Sequence, residues 1–368
     1  MQYAGALAVC AGLLIPLCLI KFPDGGPKEA SVAYHVPPHP RGYVCYRATG
    51  PILIDGRLDE PSWQAVPYSD PFVDIEGDSR PQPRLRTRVK MLWDDDYFYV
   101  AAELEEPHVW ATLTKHDSYI FHDDNDFEVF IDPDGDSHNY CEFEINARNT
   151  GWDLLLTRPY KDGGQAIDGW EMPGFKSAVH VDGTLNDPRD LDRGWTIEMA
   201  FPWKVLTELT ASKQRPKDGE QWRLNFSRVE WRHEIVNGKY RRVADTREDN
   251  WVWSPQGVVN MHRPETWGYV QFSTAAPGTV SFKPDPAWPA RCILHAIYYG
   301  QHEFRKLHGR WARDLDELGL AKDGHPSIRG KPVMETTTNL FEARVTVPLR
   351  DTQSQTCHIR QDALVWHD

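Results

Sequence analysis

The sequence predicts a mostly β protein: a jelly-roll-like antiparallel β-sandwich with a small C-terminal α+β extension. Alternating or aromatic and β-branched runs recur through residues 43–273, and a helical period appears only after residue 286. Turn clusters such as "DDD" (94–96), "DPDGD" (132–136), "KDGG" (161–164) and "LNDPRD" (185–190) separate the runs. Nine or more short strands with so little helix are accommodated by closing sheets over one core. A 40% hydrophobic content with 12% aromatics supplies that core and excludes disorder throughout.

The elements follow in order. An apolar run from Ala4 to Ile20 has the length of a long signal h-region and is slightly short for a comfortable span. Residues 1–21 therefore read as a signal peptide or membrane anchor. This predicts an exported protein (periplasmic, extracellular or anchored) whose only membrane contact is this segment. Residues 22–42 are rich in Pro and Gly and read as a linker. The strand runs are then "YVCYRA", "RLRTRVKMLW", "YFYVAAEL", "DFEVFID", "YCEFEIN", "WDLLLT", "FKSAVHV", "GWTIEMAF" and "WRLNFSRVEW", with "PWKVLTEL" as one short helix. A second linker is expected over 274–285. Beyond it Ile297, Phe304, Leu307, Trp311, Leu315 and Leu318 mark an amphipathic helix interrupted near Gly309. "LFEARVTVPL" and "HIRQDALVW" then read as strands, so residues 286–368 form the extension.

Charge narrows the function classes. The formal net charge is -13, yet residues 286–368 hold 11 basic and 10 acidic side chains, so the acidity lies upstream. An acidic surface without clustered Lys and Arg excludes nucleic acid as a partner. No GxSxG, P-loop, HExxH or Gly-rich dinucleotide signature is present. Cys45, Cys141, Cys292 and Cys357 show no zinc spacing, and no pairing among them is assumed.

Residues 121–146, "FHDDNDFEVFIDPDGDSHNYCEFEIN", hold nine acidic side chains and no Lys or Arg. Alternation sets Phe127, Val129 and Ile131 against Glu128, Phe130 and Asp132, and Cys141, Phe143 and Ile145 against Glu142, Glu144 and Asn146. With the turn-forming Asp-Pro-Asp-Gly between them, these runs make one hairpin. Glu128, Glu142, Glu144 and Asn146 then share a polar, water-exposed face. Asp132, Asp134 and Asp136, with Asp123 and Asp124, form a candidate calcium set, because a hard cation takes six to eight oxygens. It is no EF-hand: the twelfth position from Asp132 is Phe143. A solvated turn is the competing reading.

"ILIDGRLDEPSW" (52–63), "WDDDYFYVAAEL" (93–104), "DNDFEVFIDPDGD" (124–136), "GWTIEMAFPW" (194–203) and "WGYVQF" (267–272) together resemble the family 9 carbohydrate-binding module, in the family's order. The resemblance implies a jelly-roll-like sandwich with structural calcium that binds mono- and disaccharide ends of plant-type polysaccharides. It also implies partnership with polysaccharide-degrading enzymes. Glu128 falls on the family's hydroxyl-binding carboxylate. Where the family carries a stacking Trp about six residues earlier, this sequence has Phe121 and His122. Sugar recognition needs aromatic platforms and polar groups for vicinal hydroxyls. The remaining candidates are Arg148, Asn149 and Lys161 as donors, Trp253 (or Trp251) as second platform, and Asn260 and Arg263 before the last strand.

Two alternatives stand beside this reading. A glycoside hydrolase would pair Glu128 with Glu142 or Glu144, but a water-exposed acidic face offers no reason for the raised pKa that a general acid needs. A haem-binding electron-transfer domain would want a Met/His axial pair. Met91, Met261 and His262 are present without distinctive spacing.

Overall fold

The computed structural model describes residues 33–321, 325–349 and 353–368; the predicted export segment, 1–21, lies outside these residues. The chain runs β1 (Gly42–Arg47), α1 (Pro61–Gln64), β2 (Val73–Asp74), β3 (Thr87–Trp93) and β4 (Tyr97–Glu105). It continues through α2 (Ile120–Asp123), β5 (Asp126–Asp132), β6 (Tyr140–Asn146), β7 (Gly151–Leu156), β8 (Ala166–Ile167), β9 (Lys176–Asp182) and β10 (Gly194–Pro202). After α3 (Trp203–Leu206) come β11 (Gln221–Glu230), β12 (His233–Val236), β13 (Lys239–Arg242), β14 (Asp249–Val252) and β15 (Gly268–Ser273). The tail holds α4 (Trp288–His308), β16 (Arg329–Thr336), β17 (Phe341–Pro348), β18 (Ser354–Arg360) and β19 (Val365–His367).

One curled sheet in the order β8-β7-β6-β5-β11-β15-β1-β3-β4-β10-β9 forms both layers of the sandwich. Strand β11 joins them. One of its edges pairs with β5 over Arg223–Val229, while the other passes from β15 (Gln221–Leu224) to β14 (Ser227–Glu230). The layers diverge there, because one strand has changed neighbours along its length. The sheet is antiparallel except at β1, which runs parallel to both β15 and β3. The expected all-antiparallel sandwich is corrected at that one strand.

The core between the layers takes one side chain in two from each strand. Phe127, Val129, Ile131, Cys141, Phe143, Ile145, Ile197, Met199, Phe201, Leu224, Phe226 and Phe272 all lie within it. A second, smaller core covers the outer face of β3, β4 and β10, where α1 acts as a lid. Trp63 is fully buried there, and its Nε1–H donates to Glu198 Oε1 at 2.7 Å. The Asp55 and Gly56 N–H groups donate to Glu198 Oε2, which satisfies a carboxylate buried under the lid. Gly56 has φ of +85°, and a Cβ there would lie 2.6 Å from the His180 nitrogen, so the turn admits only glycine.

The tail departs from the sequence expectation in its helix. Helix α4 begins at Trp288, with a proline in its first turn, and ends at Gly309 in the left-handed conformation. It does not resume. Trp311, Leu315 and Leu318 return to the tail core through turns, and Leu307 is 61% exposed. The four-stranded sheet β16-β17-β18-β19 packs on α4 through Ala343, Val345, Val347, Cys357 and Ile359.

Both stretches read as linkers are tied down where they are described. Pro37 C=O accepts from Trp288 Nε1–H at 3.0 Å, and the His39 ring lies 4.5 Å from that of Tyr269. Val280 C=O accepts from the Tyr46 hydroxyl at 2.9 Å.

Candidate functional site

The face of β5, β6, β7 and β11 turned away from the core carries the acidic side chains. Register sets them in rows. Ser227, Glu128, Glu144 and Trp152 stand opposite one another on four successive strands; one row along come Asn225, Phe130, Glu142 and Leu154, and one row the other way Asp126 and Asn146. Neighbours in a row lie about 5 Å apart, so three glutamates and an aspartate crowd one patch.

This face is not solvated, which corrects the sequence reading. Asp126, Glu128, Glu142 and Glu144 are 0%, 4%, 5% and 1% exposed. The segment around α2 covers them: Phe121 N–H donates to Glu144 Oε2 at 3.0 Å, and Trp231 Nε1–H donates to the Phe121 carbonyl at 2.9 Å. Among the described residues no Lys or Arg forms an ion pair with any of the four. His262 Nε2 lies 3.8 Å from Glu142 Oε2. Burial lowers the His262 pKa to about 4, so that ring is neutral at pH 7. Burial raises all four carboxyls, and charges of others in the patch add to the rise in Asp126, Glu142 and Glu144. Glu128 reaches about 7, pushed first by burial and then by the charge of Glu248. Asp126, Glu142 and Glu144 rise well above the ordinary range, each through burial first and neighbouring carboxylates second. Raised carboxyls keep their protons to higher pH than ordinary ones, so the patch can present O–H donors as well as carboxylate acceptors.

Aromatic rings rim the patch. Tyr119 and Tyr160 are 53% and 48% exposed, and partial burial first, then the charges of Glu142 and Glu144, raise both phenols. Ring centroids of Tyr119 lie 4.6 Å from Phe121 and 5.1 Å from Trp152. On the other flank Tyr160 meets His262 at 4.5 Å. The result is a polar floor between apolar walls.

The predicted site residues divide by where the structure puts them. Glu128 is in the floor and Phe121 in the wall. His122 is exposed beside Asp123, with its ring 5.9 Å from Tyr119. Trp253 is corrected outright: it is 1% exposed within the sandwich core, against Phe226, and faces no solvent. Arg148 is exposed on the β6–β7 turn, and the Asn149 amide donates to the Ser177 carbonyl of β9, in the opposite layer. Lys161 pairs with Asp162 and lies over the Tyr298 and Tyr299 rings of α4. Arg263 pairs with Glu265 and donates to the Tyr299 hydroxyl. Asn260 accepts the His262 N–H within its own turn. These last three are scaffold contacts, not free donors.

Tyr119, Tyr160 and His262 are the wall residues that the sugar-site prediction missed; Trp152, which flanks the polar loop 154–169, reads from sequence as core or rim more than as a platform. Trp152 carried a signal, since alternation in "WDLLLT" places it with Leu154 on one face. The loop residues carried none, because no period governs a loop.

The candidate calcium set also divides. Asp132, Asp134 and Asp136 each turn a carboxylate oxygen toward a common point, all within 4.8 Å of one another. Asp132 accepts from the Gly135 and Ser137 N–H groups at 3.0 Å, which fixes its orientation. Three converging hard oxygens fit a Ca²⁺ ion. Asp124 does not belong: its oxygens accept from Thr112 N–H and Oγ1–H, Leu113 N–H and the Asn146 amide. Asp123 is exposed beside it, and both sit at the far end of β5, roughly 20 Å from the turn.

The sandwich thus carries a buried acidic patch rimmed by aromatic rings on one outer face. Residues 54–273 match the model of the carbohydrate family 9 binding domain-like family. The chain belongs to that family. It is 26% identical over 163 residues to exoglucanase XynX of Acetivibrio thermocellus, covering 44% of this chain and 12% of that protein. Against endo-1,4-beta-xylanase A of Thermoanaerobacterium saccharolyticum it is 27% identical over 158 residues, covering 43% of this chain and 11% of the xylanase. These matches thus span about a tenth of the relatives' length. Structures of a family 9 carbohydrate-binding module from Caldicellulosiruptor kristjanssonii, with cellotriose and with glucose, align at TM-scores of 0.39 and 0.40. Each is 14% identical and covers 66% of this chain and all of the other.

Proposed function

We propose that the protein is an exported carbohydrate-binding protein that captures saccharide ends of plant-type polysaccharides in the cleft floored by Glu128, Glu142 and Glu144. One observation carries this: buried carboxyls with no cationic partner among the described residues lie beneath exposed aromatic rings. A pyranose offers the complement, apolar C–H faces for the walls and vicinal hydroxyls for the floor. Hydroxyls donate to ionised oxygens and accept from protonated ones, so a floor that can hold both forms suits a diol. Family membership supports the same ligand class. In this reading Ca²⁺ at Asp132, Asp134 and Asp136 stiffens the hairpin turn, and the bound sugar is presented to partner enzymes that degrade polysaccharides.

Calorimetry with glucose, cellobiose and xylobiose in Ca²⁺ buffer tests the proposal; absence of heat with all saccharides, extended by a glycan array, would sink it. The raised carboxyls supply what a general acid requires, so the hydrolase reading gains an observation that the sequence lacked. Reducing-sugar release that disappears in Glu128→Gln would support it over simple capture. Haem gains none: Met91 is buried in the sandwich core, Met261 Sδ accepts from the Gln256 amide at 3.0 Å, and the His262 ring is engaged by Tyr140 and Tyr160.

A further inference from the structure

A second cluster lies on the other side of β7 from the cleft. His116, on the loop before α2, points Nε2 at three carboxylates: Asp117 Oδ1 at 3.3 Å, Asp153 Oδ1 at 3.5 Å and Glu171 Oε2 at 3.5 Å. Donor atoms of His116, Asp117 and Asp153 all lie within 4.8 Å of one another. Asp153 alternates with the cleft residues Trp152 and Leu154, so its side chain turns inward.

We propose that His116, Asp117 and Asp153, with Glu171 as a mobile fourth ligand, bind a first-row divalent cation of the Zn²⁺ type. Four observations converge on it. The His116 Nδ1 lies 2.9 Å from the Gly151 carbonyl. A carbonyl only accepts, so Nδ1 carries a hydrogen, and loss of the proton on Nε2 would leave its lone pair facing the carboxylates as a metal ligand. Metal-bound imidazoles are oriented in this way. Asp153 is 3% exposed, with Oδ1 toward His116 and, among the described residues, no hydrogen-bond partner at Oδ2, and a carboxylate so buried costs free energy unless a cation compensates it.

The spacing fits as well. Ligand atoms about 2.0–2.1 Å from a tetrahedral ion stand about 3.3–3.4 Å apart, close to the three distances from Nε2. Finally, Glu171 is 62% exposed, which leaves it free to swing inward as the fourth donor. One imidazole nitrogen among carboxylates selects against Ca²⁺, which takes oxygens, and favours Zn²⁺ or its neighbours. The ion joins the loop bearing Tyr119 to the strand bearing Trp152, where Asp117 N–H already donates to the Gly151 carbonyl at 3.1 Å.

The test is a titration of the chelator-stripped full chain with Zn²⁺, and with Co²⁺ for its visible spectrum. The expected result is one site of micromolar or tighter affinity, a tetrahedral Co²⁺ absorption band, and binding weakened at least a hundredfold in both His116→Ala and Asp153→Asn. His116 and its Asp117 neighbour are partly exposed, so circular dichroism is expected to show the His116→Ala variant folded. Excess Ca²⁺ is expected to leave Zn²⁺ in place. No binding to the wild-type chain would mean an imidazolium held by three carboxylates and overturns the proposal. So does affinity that survives His116→Ala, or displacement by Ca²⁺.

Discussion

The ring of Tyr160 meets that of His262 with centroids 4.5 Å apart, and the residues beside each are tied to the same helix. Lys161 and Asp162 reach the Tyr298 hydroxyl of α4, and Arg263 and Glu265 engage that of Tyr299. The tail thus clamps two loops that wall the cleft. Tyr299→Phe is expected to weaken saccharide binding several-fold with the far-UV circular dichroism unchanged. Wild-type affinity in that variant would show that the clamp is not needed for binding.

The acidic floor makes stability depend on pH. Glu128 in the folded protein titrates near 7, above its ordinary 4.5, so the folded state holds that proton more tightly than the unfolded chain does. The stabilisation is full below about pH 4.5 and is lost as pH rises through about 7. Thermal melts of the sugar-free protein are expected to fall across that window, and Glu128→Gln to flatten the fall. An equal slope in both proteins would place the titration elsewhere.

Two tryptophans separate cleft from core. Trp152→Ala is expected to cut saccharide affinity tenfold or more while leaving the melting temperature within a few degrees. Trp253→Ala empties a fully buried site and is expected to cost about 3–5 kcal/mol in a denaturant titration. Reversal of the two phenotypes would put the wrong tryptophan in the wall.

At the hairpin turn, burial and neighbouring Asp134 raise Asp136 to about 7, and burial with Asp136 and Asp134 raises Asp132 well above its ordinary value. A bound cation relieves that repulsion. Chelation of Ca²⁺ is expected to lower the melting temperature of the wild type and leave Asp132→Asn unmoved; a wild type indifferent to chelator would leave the turn held by hydrogen bonds alone.

The β-sandwich was legible because period-2 alternation is strong in strands buried on one side, and the lid was legible in "IDGRLDEPSW" because a turn and a Pro-led helix seat Trp63. The hairpin faces were read correctly from alternation in β5 and β6. What covers a face was not legible. Glu128 and its neighbours look solvated until α2 and the loops beyond β7 and β14 fold over them, and those contacts depend on long-range closure. For the same reason Lys161 and Arg263 read as free donors: their partners on α4 lie far along the chain. The end of α4 was marked by Gly309, but the apolar residues beyond it keep a helical spacing without a helix, because they meet the tail core from turns.

The most direct test of the central claim is calorimetric titration of the wild type and Glu128→Gln with the same panel of saccharides in Ca²⁺ buffer, both proteins first shown to be folded. The account predicts one site in the wild type and affinity lowered at least tenfold in the variant. Equal affinity in the two proteins would contradict it.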